Sequence, residues 1–140
     1  TRLQNMGTPD YLISAACQLV VAQRLARRNC ADCKIPDDDV NPKVLQDLGF
    51  SAEQASRAKA FKGKGCAKCS DTGYKGRQGI YEILVVSKPI KEAILRKATT
   101  PELREIAIKE GFQTMQDMGK RMIASGDLNF REYERVLTSE

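Results

Sequence analysis

The chain has 140 residues, 41% of them hydrophobic and 29% charged, a composition of soluble globular proteins and a length for one ordinary domain or two very small ones. Its formal net charge of +5 admits acidic proteins, anionic headgroups or nucleic acid as partners and singles out none of them. No apolar run approaches the roughly 18 residues of a membrane-crossing helix, and the opening TRLQNMGTPDYL lacks the basic flank and apolar stretch of a secretory signal.

The absent initiator Met suggests a piece of a longer chain. Thr8 or Asp10 can cap a first helix beginning near Pro9, with Leu12, Ile13, Ala16, Cys17 and Val20 on one face. The β-branched pair Val20 and Val21 then favours a strand over 21–27. Past Pro36 and the acidic run Asp37 to Asp39, Asn41 and Pro42 start a short helix that ends at Gly49. Ser51 and Gln54 form a capping box for a second one. GRQGIYEILVV reads as a strand pairing antiparallel with the strand before Cys30. From Ser87 onward the pattern is helical. Ser87, Thr100 with Pro101, Thr114, and Asn129 with Glu132 start four helices, and Gly111 and Gly126 end two of them. Met115, Met118 and Met122 recur at helical spacing and read as core. The fold class is α+β, mostly helical.

Four of the five cysteines fall in two Cys-x-x-Cys pairs, CADC at Cys30 and Cys33 and CAKC at Cys66 and Cys69. A disulfide framework needs an exported context, and no export signal is visible. A redox dithiol needs one such motif, not two. Two pairs supply four soft thiolates, the ligand set of a tetrahedral structural zinc. Gly63, Gly65 and Gly73 make the turns easy, and Lys34, Lys64 and Lys68 would offset part of the thiolate charge. A closed four-sulfur site leaves no position for water or substrate, so the metal is structural. The insert between the pairs has small apolar faces and should be poorly ordered without metal. Cys17 reads as a small buried hydrophobe.

Several chemistries are missing. The chain has no His. The Gly-Lys of GKGCAKC is followed by Gly65, not by the hydroxyl residue a phosphate-binding loop needs. Between Arg57 and Arg77 seven Lys or Arg face one acid, Asp71, which reads first as a solvated basic surface. A zinc-ribbon nucleic-acid binder is the reading from another class. Against it, Tyr74 and Phe61 are the sole aromatics near the second knuckle, so stacking platforms are sparse.

The arrangement resembles the C-terminal part of the type II secretion and type IV pilus assembly ATPases. LVVAQRLARRNCADC, GCAKCSDTGYKGRQGIYEIL and GFQTMQDMGKRMIASGDLNFREYERVL carry the resemblance. It implies a parent that is a hexameric, RecA-like ATPase on the cytoplasmic face of the inner membrane, driving a pilus or pseudopilus through a membrane platform protein. ATP and magnesium would belong to the parent alone. Residues 1–29 would end the ATPase core, 30–70 would be the zinc-binding insert, 71–87 a returning core strand and 88–140 a helical subdomain. Cys30, Cys33, Cys66 and Cys69 carry over as metal ligands. Asp71 through Gly76 would shape the knuckle, and Arg77 and Gly79 would frame the strand turn. The neighbouring subunits and the platform protein are the implied partners, and direct nucleic-acid binding is not expected.

Overall fold

A computed structural model describes residues 2–138. The fold mixes 46% helix with 21% strand, so helix outweighs strand as the sequence predicts. The chain divides into two units.

One unit comprises the segment up to Ala22 and Glu82–Thr114. Here lie helices α1 (Arg2–Asn5) and α2 (Asp10–Ala16), the start of strand β1 (Leu19–Asn29), the end of strand β4 (Tyr74–Val85), and helices α5 (Lys88–Leu95) and α6 (Thr100–Lys109). Its core joins Val86, Ile90 and Ala107, with Leu84, Leu103 and Phe112 packed on them. Cys17 packs half-buried against this cluster, in keeping with a small apolar role. Three helix starts depart from the expected caps. Asp10 sits inside α2 and accepts from the Gln4 amide at 2.8 Å, while Pro9 occupies the cap. Ser87 precedes α5, but its hydroxyl donates to Glu110 at 2.6 Å. The cap of α6 is Thr99, one residue before the expected Thr100, and it exchanges hydrogen bonds with Glu102 in a capping box. The two threonines are adjacent, and only Thr99 stands three residues before an acid.

The other unit comprises Gln23–Tyr81 and the segment from Met115 onward. It holds β2 (Lys34–Pro36), α3 (Pro42–Asp47), α4 (Ala52–Arg57), β3 (Phe61–Gly63), a single 3-10 turn (Ala67–Cys69), α7 (Met115–Ser125) and α8 (Phe130–Leu137). Asn41 caps α3 with Pro42 at its first position, and the Ser51–Gln54 box forms as expected. β1 pairs with β4. The end of β1 meets the start of β4, where the Cys30 N–H donates to the Gly73 carbonyl at 2.9 Å, so the two run in opposite directions. β1 extends past the expected 21–27 at both ends, and β4 opens at Tyr74, ahead of the expected Gly76.

The insert has more core than its sequence promises. Leu45, Phe50, Ala55 and Ala60 are buried in one cluster with Ile123 and Leu128. Met115 and Met122 are buried in the same cluster and Met118 packs on it, as their spacing predicts. Gly119 lets α7 approach α8. A Cβ there would stand 2.5 Å from Leu137 and 2.7 Å from the Tyr133 ring.

A buried carboxylate ties α8 to β1. Asn129 caps α8 by accepting from the Glu132 N–H at 2.7 Å. Glu132, fully buried, does not turn back to the cap. It accepts from the Arg27 backbone N–H and guanidinium, both at 2.9 Å, and from Arg135. The Arg27 guanidinium lies 4.2 Å above the Tyr74 ring, and the Tyr74 hydroxyl accepts from the Asn129 amide at 2.8 Å. Burial pushes the Glu132 carboxyl up, but the hydrogen bonds from Arg135 and Arg27 outweigh it and bring the pKa down to about 2. The far end of α8 is closed by Arg24, which donates to the Val136 carbonyl, and by Gln116, which donates to that of Leu137.

Two outcomes follow from these contacts. A carboxyl held below its ordinary value stabilises the fold fully above about pH 4.5, and that share is lost as the pH falls toward 2. Because the two guanidinium groups are half exposed, we expect the loss to be about 2–3 kcal/mol in chemical denaturation and to be absent from Glu132→Gln, which is destabilised at neutral pH. Gly119→Ala should cost about 1–3 kcal/mol by the same measurement, because the added methyl meets Tyr133 and Leu137.

Candidate metal centre

The two cysteine pairs are brought together by two β ladders. β2 and β3 pair antiparallel with Lys34 opposite Gly63, Ile35 opposite Lys62 and Pro36 opposite Phe61. This register continues past the strands, where the Lys64 N–H donates to the Cys33 carbonyl at 3.1 Å. The second ladder, β1 with β4, sets Cys30 against Gly73. One ladder thus places Cys33 beside the entry to the second knuckle, and the other places Cys30 beside its exit.

Between those points the chain folds tightly. Cys66 precedes the 3-10 turn that ends on Cys69. The Asp71 N–H returns to the Cys66 carbonyl at 2.9 Å, and the Thr72 hydroxyl donates to the Cys69 carbonyl at 2.7 Å. The main chain at Gly63 and Gly73 touches. A Cβ on Gly63 would lie 1.9 Å from the Gly73 oxygen, and one on Gly73 would lie 2.5 Å from the Gly63 oxygen. Gly73 also needs φ +80°, which a side chain disfavours.

All four sulfurs lie within 4.8 Å of one another, so the four cysteines are placed to bind a metal ion. Three separations are close to equal: Cys30 to Cys66 and Cys33 to Cys69 at 3.8 Å, and Cys66 to Cys69 at 3.7 Å. Cys30 and Cys69 are buried, Cys33 and Cys66 half-buried. Backbone N–H groups point at the cluster: Gly65 at the Cys33 sulfur at 3.3 Å, Cys66 and Gly73 at the Cys69 sulfur at 3.2 and 3.3 Å.

The electrostatics ask for a cation. Burial, assisted by the neighbouring thiols, pushes Cys33 up to about 12 against the pull of the Gly65 N–H. Burial also opposes ionisation of Cys69, but the N–H groups of Cys66 and Gly73 overcome it and bring that thiol down to about 6. The Cys69 thiolate is therefore favoured by its surroundings and the Cys33 thiolate opposed. Four in this space need a positive ion among them.

The lysines expected beside the sulfurs do other work as well. Lys68 pairs with Asp32 at 3.3 Å and so bridges the two knuckles. The Lys34 ammonium lies 5.3 Å from the centre of the Phe61 ring, and Lys64 is exposed. Arg77 is exposed. Gly79 leaves room for the bond between the Gln23 amide and the Tyr81 hydroxyl, since a Cβ there would stand 2.9 Å from one and 2.8 Å from the other. The sequence reading passes over Asn29. It is buried, its amide donates to the carbonyls of Phe61 and Gly126 at 3.2 and 2.9 Å, and its backbone N–H donates to Asp127 at 2.8 Å. It thereby fixes the residue before Cys30 to β3 and to the turn between α7 and α8. Its position just ahead of the first cysteine is the only signal the sequence carries.

Comparison with known proteins bears on this arrangement. The family model described as Type II/IV secretion system protein matches residues 1–135. A type IV pilus assembly ATPase PilB of Thermus thermophilus is 42% identical over 85% of this chain and 13% of its own length. PilB of Myxococcus xanthus is 35% identical over 94% of this chain and 23% of its own. The type II secretion system ATPase E of Vibrio cholerae is 34% identical over 97% of this chain and 26% of its own. The chain spans about a quarter or less of each of these relatives. It belongs to the type II/IV secretion system protein family.

Proposed function

We propose that this chain is the metal-binding, C-terminal part of an ATPase that powers type IV pilus assembly or type II secretion. The observation that carries the reading is the convergence of four cysteines, within a chain of this family, on the geometry of one ion. Zinc is the ion that fits. A zinc–sulfur bond of about 2.3 Å gives a tetrahedron with edges of about 3.8 Å; three of the sulfur separations are 3.7 or 3.8 Å and all lie within 4.8 Å. Bound there, zinc supplies charge neutralisation and no reaction.

The residues define the rest of the role. Cys30, Cys33, Cys66 and Cys69 hold the metal. The Gly63–Gly73 contact and Asn29 hold the knuckles to the strands. On this reading residues 1–29 and 71–87 complete a RecA-like core, 30–70 form the zinc-binding insert, and 88–140 form the helical C-terminal part. ATP and magnesium bind in the parent, upstream of this chain, and neighbouring subunits of a hexamer complete the ring. The parent works on the cytoplasmic face of the inner membrane, where the insert is a stiff projection that transmits domain motion to a membrane platform protein. The shared core of Leu45, Phe50, Ile123 and Leu128 supports the stiffness.

Metal analysis of the folded chain should give about one zinc per chain. Cys66→Ser with Cys69→Ser in the full-length ATPase should abolish that zinc and impair pilus assembly or secretion; unchanged zinc content, assembly and secretion would sink the reading. Chelation should loosen the knuckles and leave the helical circular dichroism largely in place, because α3 and α4 keep their apolar contacts with α7 and with Leu128. Exchange of the Cys30, Gly65 and Gly73 amides should then rise while that of Leu45 and Ala55 stays slow.

A further inference from the structure

Cys66 and Cys69 join a half-exposed cysteine to a buried one within a single 3-10 turn. Cys66 is half-exposed, Cys69 is buried, and their sulfurs stand 3.7 Å apart within one turn. Cys66 also has Cys30 at 3.8 Å. Cys33, the other half-exposed residue, faces Cys69 across the two knuckles at 3.8 Å and accepts the Gly65 N–H, which draws electron density from its sulfur. Lys68 lies inside the Cys66–Cys69 turn, and its ammonium pairs with Asp32 of the first knuckle at 3.3 Å. The body of this unit is packed by Leu45, Phe50, Ile123 and Leu128, a core that includes none of the four cysteines. A reaction at Cys66 can therefore open the cluster without unfolding its surroundings.

We propose that Cys66 is a modification site for hydroperoxides, and that its oxidation yields a Cys66–Cys69 disulfide and frees the metal. The proposal rests on the zinc reading above. The co-reactant is hydrogen peroxide or an organic hydroperoxide. The Cys66 thiolate attacks one peroxide oxygen, the O–O bond breaks, and the leaving oxygen takes a proton to become water or an alcohol. Cys66 is now a sulfenic acid. The Cys69 thiolate attacks that sulfur, the S–S bond forms, the S–O bond breaks, and hydroxide leaves and is protonated to water. Two thiolates lose two electrons, and the peroxide gains them with two protons. Cys30 and Cys33 alone then hold the metal too weakly to keep it. A dithiol reductant returns the two electrons and restores the ligand set.

The test uses the unsubstituted full chain loaded with zinc. Metal content is measured first, and a folded chain without bound zinc overturns the metal reading itself, before any oxidant is added. Equimolar hydrogen peroxide is then supplied with a chromogenic chelator present. The expected result is release of the zinc with loss of two thiols, a Cys66–Cys69 disulfide in peptide mass mapping, unchanged helical circular dichroism, and recovery on adding dithiothreitol and zinc. Cys17→Ser should give the same course. Zinc retained with its thiols intact, oxidation confined to Cys17, a disulfide joining a different pair, or irreversible sulfinic acid overturns the oxidation site while leaving the metal reading standing. Because Cys66→Ala removes a ligand, the disulfide map of the unsubstituted chain carries the decision.

Discussion

Four sulfurs held within 4.8 Å of one another set the terms for everything around them. Thiolates packed this closely repel one another, and the protein's own N–H groups bring the Cys69 thiol down while burial pushes Cys33 up. The chain meets this with geometry. Two separate ladders, β1 with β4 and β2 with β3, end at the cluster from different sides, so neither pair of cysteines can drift without breaking backbone hydrogen bonds. The 36-residue separation of matching cysteines is bridged by strands and helices, not by slack.

The insert and the closing helices form one body because they share one apolar core. Leu45 from α3, Ala55 from α4, Ile123 from α7 and Leu128 from the last turn all lie in it. Around its edge polar groups do the fastening. Glu132 joins β1 to α8, Asn29 joins the end of β1 to the turn before α8, and Tyr74 lies against both Arg27 and Asn129. The four-cysteine cluster is thus one fastening among several. Its loss should be felt locally, in contrast to very small zinc domains whose folding depends wholly on the ion.

Much of this was legible in the residues. The cysteine spacing announced a four-sulfur cluster placed to bind a metal ion, Asn41 with Pro42 and Ser51 with Gln54 announced two helix starts, and the methionine spacing announced a buried stripe. What stayed hidden were contacts between distant residues. Glu132 reads locally as a capping partner of Asn129, and nothing in the local pattern says that Arg27, far back in the chain, will draw it inward. Asn29 lies beyond the strand that the pattern marks out, and its amide meets two carbonyls brought from other segments. Phe50 and Leu45 look too few to make a core until α7 supplies the other half. Tyr74 reads as one of two aromatics near the second knuckle, and nothing local says that its ring and hydroxyl are both engaged.

The contact between Gly63 and Gly73 binds the fates of two positions. The obstruction each would meet is main chain, which every amino acid carries. A bulky replacement at one site therefore cannot be rescued by trimming the other, since the other is already as small as a residue can be. In lineages of this family that keep the crossing, both sites should stay glycine together, and a lineage that loses one must reroute the loop before it can lose the second.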